Sequence, residues 1–368
     1  MTNLRIRVVI SDERSVEAHT IGLPQLTSGK GKLRLDGLDG QFVAHFERWL
    51  GLRAVESYWT EHDIRSFGQL LFRCLFPREP ENVWAWIEDL ISKRQADVVR
   101  LTLQFPLGRE FAYWSAIPWE YLHTSGSDGF FLARNRRFVL SRYIRPARAV
   151  ETLPPKQCLR VLPVVSDPAE QSLGKVGADE VREVLERLDG ISAFEVLPWL
   201  ETPTATEFGQ SVEETRPDVV HFIGHGQFQP DTTTGSLAMR DTAPGSRYEW
   251  VNQTRVADLM CPDDYTPRAV VLHSCDVGKT DMSFRFAGLP PELINRGVQC
   301  VVAMQYPIRD DIAQQFSKAL YEQLATRSQL DEAVQACRDR LATEMGSDPR
   351  LIGLPVLYQR SADPLISL

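Results

Sequence analysis

The strongest constraint on this 368-residue chain is the alternation, beyond residue 156, of apolar runs of strand length with amphipathic runs of helical period. Residues 159–165 are an apolar run, and 179–188 follow with Val181, Val184, Leu185 and Leu188 on one helical face. A second strand is expected over 193–197. Thr204-Ala205-Thr206-Glu207 has the form of a capping box and opens the next helix. Strands are then expected over 218–223, 269–274 and 298–304, with a hairpin and a short helix in the polar stretch between the first two. A helix over 291–296 is closed by Gly297 as its C-terminal cap. Two more follow, 312–325 with Ile312, Phe316, Leu320 and Leu324 aligned, and 330–344. Strand and helix in regular alternation pack as an α/β fold, a mainly parallel sheet with helices on both faces.

The first 150 residues read differently. A strand is expected over 4–10, then a polar, Gly-rich segment to Gly40. Helices over 67–75 and 83–92 and strands over 98–105 and 138–144 complete an N-terminal α+β accessory region. Residues 145–156 carry Pro146, Pro154 and Pro155 and mark the boundary, giving an accessory region over 1–150 and a second domain over 156–368.

Composition excludes several classes. The net charge is −8 with both signs mixed along the chain, so there is no basic footprint for direct nucleic-acid binding. No apolar run approaches the ~18 residues that span a bilayer, and Met1 to Arg7 lacks the pattern of a secretory signal, so no membrane partner and a cytoplasmic location are expected. The six cysteines (74, 158, 261, 275, 300, 337) form no C-x-x-C pair and are expected as free thiols, most of them small buried hydrophobes. Asn252-Gln253-Thr254 fits a glycosylation acceptor but, without a secretion signal, is read as chance. No Walker A loop, G-x-G-x-x-G turn or G-x-S-x-G elbow is present, which disfavours an NTPase, a dinucleotide enzyme and an α/β-hydrolase.

In open α/β sheets reactive groups gather beyond the carboxyl ends of the strands. Two expected strands end in such groups: 218–223 runs into Gly224-His225-Gly226, and 269–274 runs into Cys275. A thiol attacks as thiolate, so an imidazole that takes its proton activates it and later protonates the leaving amine. The glycines flanking His225 allow unusual backbone angles and close approach, leaving the Gly226 N–H to face a developing oxyanion. A zinc site at His221 and His225 is disfavoured, because the pair lies on a strand and turn with no third ligand nearby. His273, within its strand, reads as a packed or hydrogen-bonded imidazole. No metal and no cofactor is called for.

These segments resemble the CHAT family of caspase-like cysteine peptidases, related to separase and the gingipains. The histidine block is Asp218-Val219-Val220-His221-Phe222-Ile223-Gly224-His225-Gly226, and the cysteine block Val270-Val271-Leu272-His273-Ser274-Cys275. Upstream, Ile117-Pro118-Trp119-Glu120-Tyr121-Leu122, Gly129-Phe130-Phe131-Leu132-Ala133-Arg134 and Ser141-Arg142-Tyr143 are similar to the family. Downstream, Gly297 to Gln305 and Gly353-Leu354-Pro355-Val356-Leu357-Tyr358 are similar too. His225 also lies about 50 residues before Cys275, a separation found in caspases.

The resemblance implies a caspase–haemoglobinase fold and a Cys/His dyad cleaving peptide bonds, with Cys275 as nucleophile and His225 as general acid/base. The oxyanion hole would be the N–H groups of Gly226 and Cys275. An acidic residue after the following strand would bind a basic P1 side chain. Asp310 or Asp311 is the candidate, though the same pair suits the start of the helix near Ile312. The implied protein is a regulated endopeptidase acting on specific protein partners under an activating or regulatory protein, in a prokaryotic defence or cell-death system. The alternative is a catalytically silent scaffold or sensor module. A thiol hydrolase or acyltransferase of small molecules is the weaker third reading, since no acyl-carrier or cofactor motif accompanies the thiol.

Overall fold

Strand β1 (Asn3–Ile10) buries every second side chain, Leu4, Ile6, Val8 and Ile10, as a strand with one face on a core must. The computed structural model describes residues 2–22, 24–35, 60–78, 81–106, 114, 117–126, 128–145, 153–168, 173, 176–190, 193–229, 234–243, 247–274, 288–305, 310–326, 329–344, 349–361 and 365. The chain forms two compact units, Met1–Ile144 with Arg338–Leu354, and Arg145–Cys337 with Pro355–Leu368.

In the first unit the strands lie in the order β3 (Gly31–Lys32), β2 (Ser15–Thr20), β1, β4 (Val98–Gln104), β5 (Phe138–Tyr143). The β1–β4 and β4–β5 pairs are parallel and β1–β2 antiparallel. Strand β2 falls within the segment expected to be irregular. Its polar residues hide an alternation in which Val16, Ala18 and Thr20 point inward. Helix α1 (Glu61–Leu75) starts earlier than its apolar pattern suggests. The Thr60 side chain accepts from the Asp63 N–H while the Asp63 carboxylate accepts from the Thr60 N–H, a capping box built with Asp. Helix α2 (Val83–Arg94) follows, capped by the Asn82 side chain.

The Ile117 to Leu122 segment is core. Trp119 and Tyr121 are fully buried in a 3-10 turn; the Trp119 indole donates to the Trp114 carbonyl at 2.8 Å, and the Tyr121 hydroxyl donates to the Arg350 carbonyl at 2.7 Å. Gly353 lies so close to the Tyr121 ring that a Cβ there would come within 2.3 Å of it. Glu120, also fully buried, accepts from the Arg142 guanidinium at 2.9 Å, and Arg142 donates to the Ile117 carbonyl at 3.1 Å. Removing one partner of such a pair strands the other charge in the interior. Glu120→Ala should therefore destabilise the protein by about 3–5 kcal/mol, read by denaturant unfolding, while Glu120→Met combined with Arg142→Met should cost much less.

In the second unit the strand order is β15 (Pro355–Gln359), β14 (Cys300–Met304), β13 (Ala269–Ser274), β9 (Val219–Gly224), β6 (Leu159–Ser166), β7 (Phe194–Val196), with β8 (Leu200–Glu201) also on β6. All of these pairs are parallel except β14–β15. The crossovers carry helices α3 (Asp179–Leu188), α4 (Ala205–Thr215), α5 (Gln253–Met260) and α6 (Leu289–Asn295); α7 (Asp310–Leu324) and α8 (Leu330–Glu344), which passes into the first unit at Arg338, precede β15 in the chain. The Thr204–Glu207 capping box forms at α4, and Gly297 takes φ 112° after α6. The polar stretch after β9 is a three-stranded antiparallel sheet, β10 (Gly226–Gln229), β11 (Thr234–Arg240) and β12 (Tyr248–Asn252), followed by α5. The closing strand β15 was not foreseen as a strand. The mainly parallel α/β architecture is the expected one.

Candidate active site at the ends of the central strands

One buried carboxylate aligns the strands that matter. Asp218, just before β9, accepts from the Arg160 N–H at 3.0 Å and pairs with Lys156 at 2.7 Å and Arg268 at 3.4 Å. Its carbonyl accepts from the N–H groups of Arg268 and Ala269, at 2.8 and 3.1 Å. The beginnings of β6, β9 and β13 are thereby tied to one residue. From there the ladder runs to the other end of the sheet, where Gly224 stands opposite Ser166 on one side and Ser274 on the other.

His225 is the next residue after Gly224 and is 4% exposed. Its carbonyl accepts from the Ala238 N–H at 3.0 Å, and the Ala238 carbonyl accepts from the Ser166 hydroxyl at 2.7 Å. The turn that carries the imidazole is thus held by β6 and β11. Gly226 pairs with Leu237. Because the Ala238 N–H takes the His225 carbonyl, that pair is a non-hydrogen-bonded one, and the Gly226 N–H is directed away from β11.

The glycine before His225 is needed for space rather than torsion. Gly224 has no positive φ, but a Cβ on it would lie 2.8 Å from the Phe222 ring and 3.0 Å from the Ser166 carbonyl oxygen. This corrects the expectation of unusual backbone angles at that position.

Cys275 lies outside the described residues. Asp310 and Asp311 are the first two residues of α7, and Asp311 is exposed. The described cysteines are outside any disulfide: Cys74, Cys261, Cys300 and Cys337 are buried and Cys158 half-buried. Burial pushes the Cys261 thiol up to about 12, and burial with the neighbouring Glu195 and Asp218 raises Cys158, so both are poor nucleophiles.

Behind the strand ends sits a polar cluster that the sequence shows only in part. His221 and His273 are both fully buried on one face of β9 and β13. Ser317 Oγ of α7 is 2.9 Å from His273 Nδ1 and 3.5 Å from His221 Nε2, and the Tyr321 hydroxyl is 3.1 Å from His221 Nδ1. Both nitrogens of His221 face hydroxyls, and His273 is the hydrogen-bonded imidazole that its place in the strand suggests. The missed members are Ser317 and Tyr321. Polar residues four apart on the buried helix face that carries Ala313, Phe316, Leu320 and Leu324 were the available signal.

Burial, with His273 alongside, pulls the His221 imidazole well below its usual range. A base whose folded pKa is depressed binds fewer protons folded than unfolded, so stability is lost as pH falls through the ordinary histidine range near 6.5. Between that range and the folded value, His221 should contribute a slope of about 1.4 kcal/mol per pH unit. Denaturant unfolding from pH 7.5 to 5 should show this slope, and His221→Gln should flatten it.

The parallel sheet and its loaded strand ends define a caspase-like α/β protein. The CHAT domain family matches residues 110–361, more than half of the chain, and the chain belongs to that family. Its structure is similar to separase of Saccharomyces cerevisiae, solved in complex with securin, with TM-score 0.50 and 9% identity; the match covers 98% of this chain and 30% of separase. The chain therefore spans less than a third of that relative's length. It is also similar to the Arg-specific cysteine proteinase gingipain R, with TM-score 0.41 and 11% identity, covering 91% of this chain and 76% of the other. No curated protein sequence matches it. No described helix is long and apolar enough to cross a membrane, and no group of three or more metal-ligating side chains occurs among the described residues.

Proposed function

We propose that this chain is a cysteine endopeptidase in which Cys275 attacks the peptide carbonyl and His225 transfers the protons. The observation that carries the reading is the pairing of Gly224 with Ser274 at adjoining carboxyl ends. The next residue on one strand is the imidazole and on the other the thiol. Neighbouring strands are about 4.8 Å apart and a peptide unit spans about 3.8 Å, so chain geometry alone keeps the two Cα atoms within roughly 12 Å.

In this mechanism His225 takes the thiol proton and the thiolate adds to the carbonyl carbon. The oxyanion is met by the N–H groups of Gly226 and Cys275; losing such a donor costs roughly 10²–10³ in turnover in other enzymes. The amine leaves with the proton from His225, which next deprotonates the water that hydrolyses the thioester. The direction of the Gly226 N–H, away from β11, supports its part. Asp310 and Asp311, following β14, are the candidates for holding a basic P1 side chain.

The wider setting of the reading is selective cleavage of protein partners in the cytoplasm, under a regulatory protein, in a prokaryotic defence or cell-death system. Membership of the CHAT family and the separase–securin likeness support it. To test the chemistry, a proteome-derived peptide library is incubated with wild type, Cys275→Ala and His225→Ala, and new N-termini are read by mass spectrometry. Wild type alone should generate them, and a peptidyl acyloxymethyl ketone should label Cys275 in a His225-dependent way. Identical termini from all three proteins would remove the dyad. Absence of both cleavage and labelling in wild type would favour a scaffold.

A further inference from the structure

In the cluster beneath the strand ends, Tyr321 fixes the tautomer of His221. Burial pushes the Tyr321 phenol upward, so it keeps its proton. Among the described residues its polar partner is His221 Nδ1, at 3.1 Å. Were Nδ1 to carry the hydrogen, the buried Tyr321 O–H would have no acceptor there, a loss of about 1–3 kcal/mol. Tyr321 therefore donates to Nδ1, and the His221 hydrogen sits on Nε2, facing Ser317 Oγ at 3.5 Å. Ser317 Oγ in turn lies 2.9 Å from His273 Nδ1. One chain of hydrogen-bonding contacts thus runs from Tyr321 through His221 and Ser317 to His273.

Packing does not require this arrangement, because buried polar groups are costly unless satisfied and apolar side chains would fill the same space. What the four residues add is directional geometry. His221 lies four residues before His225, and His273 two before Cys275. Ser317 and Tyr321 sit one helical turn apart on α7, which is itself fastened to α3 by Lys318–Glu180 at 2.8 Å and by the Gln314 side chain accepting from the Glu180 N–H at 3.0 Å. One helix therefore holds both strands that end in the reactive groups.

We infer that His221, His273, Ser317 and Tyr321 are positioning residues for the Cys275/His225 pair, setting the height of the β9 end against the β13 end through α7. The inference rests on the dyad reading above. Its readout is the alkylation rate of Cys275 by iodoacetamide against pH, with the site assigned by mass spectrometry on the full chain. Wild type should show a midpoint below the ordinary thiol value of about 8.5. Tyr321→Phe, which keeps the ring, and Ser317→Ala should each move the midpoint up toward that of His225→Ala. A half-unit rise makes alkylation about threefold slower at neutral pH. Ser317→Thr, which keeps the hydroxyl, should restore the wild-type curve.

If His225→Ala shifts the curve while Ser317→Ala and Tyr321→Phe leave it unchanged, the cluster is structural only and the inference is overturned with the dyad intact. If His225→Ala itself has no effect, the dyad fails and the inference falls with it.

Discussion

The register of β9 against β13 is the constraint on which the rest depends. It is pinned at the beginning by Asp218, whose carboxylate and carbonyl gather N–H groups from Arg160, Arg268 and Ala269. At the far end Gly224 lies between Ser166 and Ser274, with no room for a side chain. A slip of one residue would turn every side chain of the strand to the opposite face. His221 would leave Ser317 and Tyr321, and the residue following the ladder would no longer be the imidazole. The alignment of the candidate reactive groups is thus a property of the whole strand pair.

The segments that resemble the CHAT family perform different physical tasks. The Ile117 to Leu122 run, Arg142 and Gly353 build the interior of the first unit: a buried ion pair, two buried aromatics that donate to carbonyls, and a glycine beneath a tyrosine ring. The strands of the histidine and cysteine blocks instead end side by side, at Gly224 and Ser274, in the second unit's sheet. Motif likeness alone does not separate a core-building segment from a chemical one. Burial and partners do.

Much of the second unit was legible because its signals are local. Apolar runs of strand length, the Thr204–Glu207 box and Gly297 each act within a few residues, and the structure keeps all three. Strand β2 was hidden because its outward face is Ser15, Glu17 and His19, which made an alternating strand look like a polar loop. The start of α1 was missed because its cap uses Asp63, a weaker cue than Glu or Gln. Strand β15 reads as a short apolar run behind a proline, and only pairing with β14 makes it a strand. Within the candidate site, His225 and Gly226 are read from the strand ends, whereas the contacts of Ser317 and Tyr321 depend on where α7 packs, a tertiary fact that their spacing of four only hints at.

The most direct test is an experimental structure of the chain after reaction with a peptidyl acyloxymethyl ketone. The account predicts a covalent bond to Cys275 Sγ, the His225 ring within about 4 Å of that sulfur, and the Gly226 N–H turned toward the former carbonyl oxygen. A bond to another thiol, or a His225 ring walled off from the sulfur by apolar side chains, would contradict it.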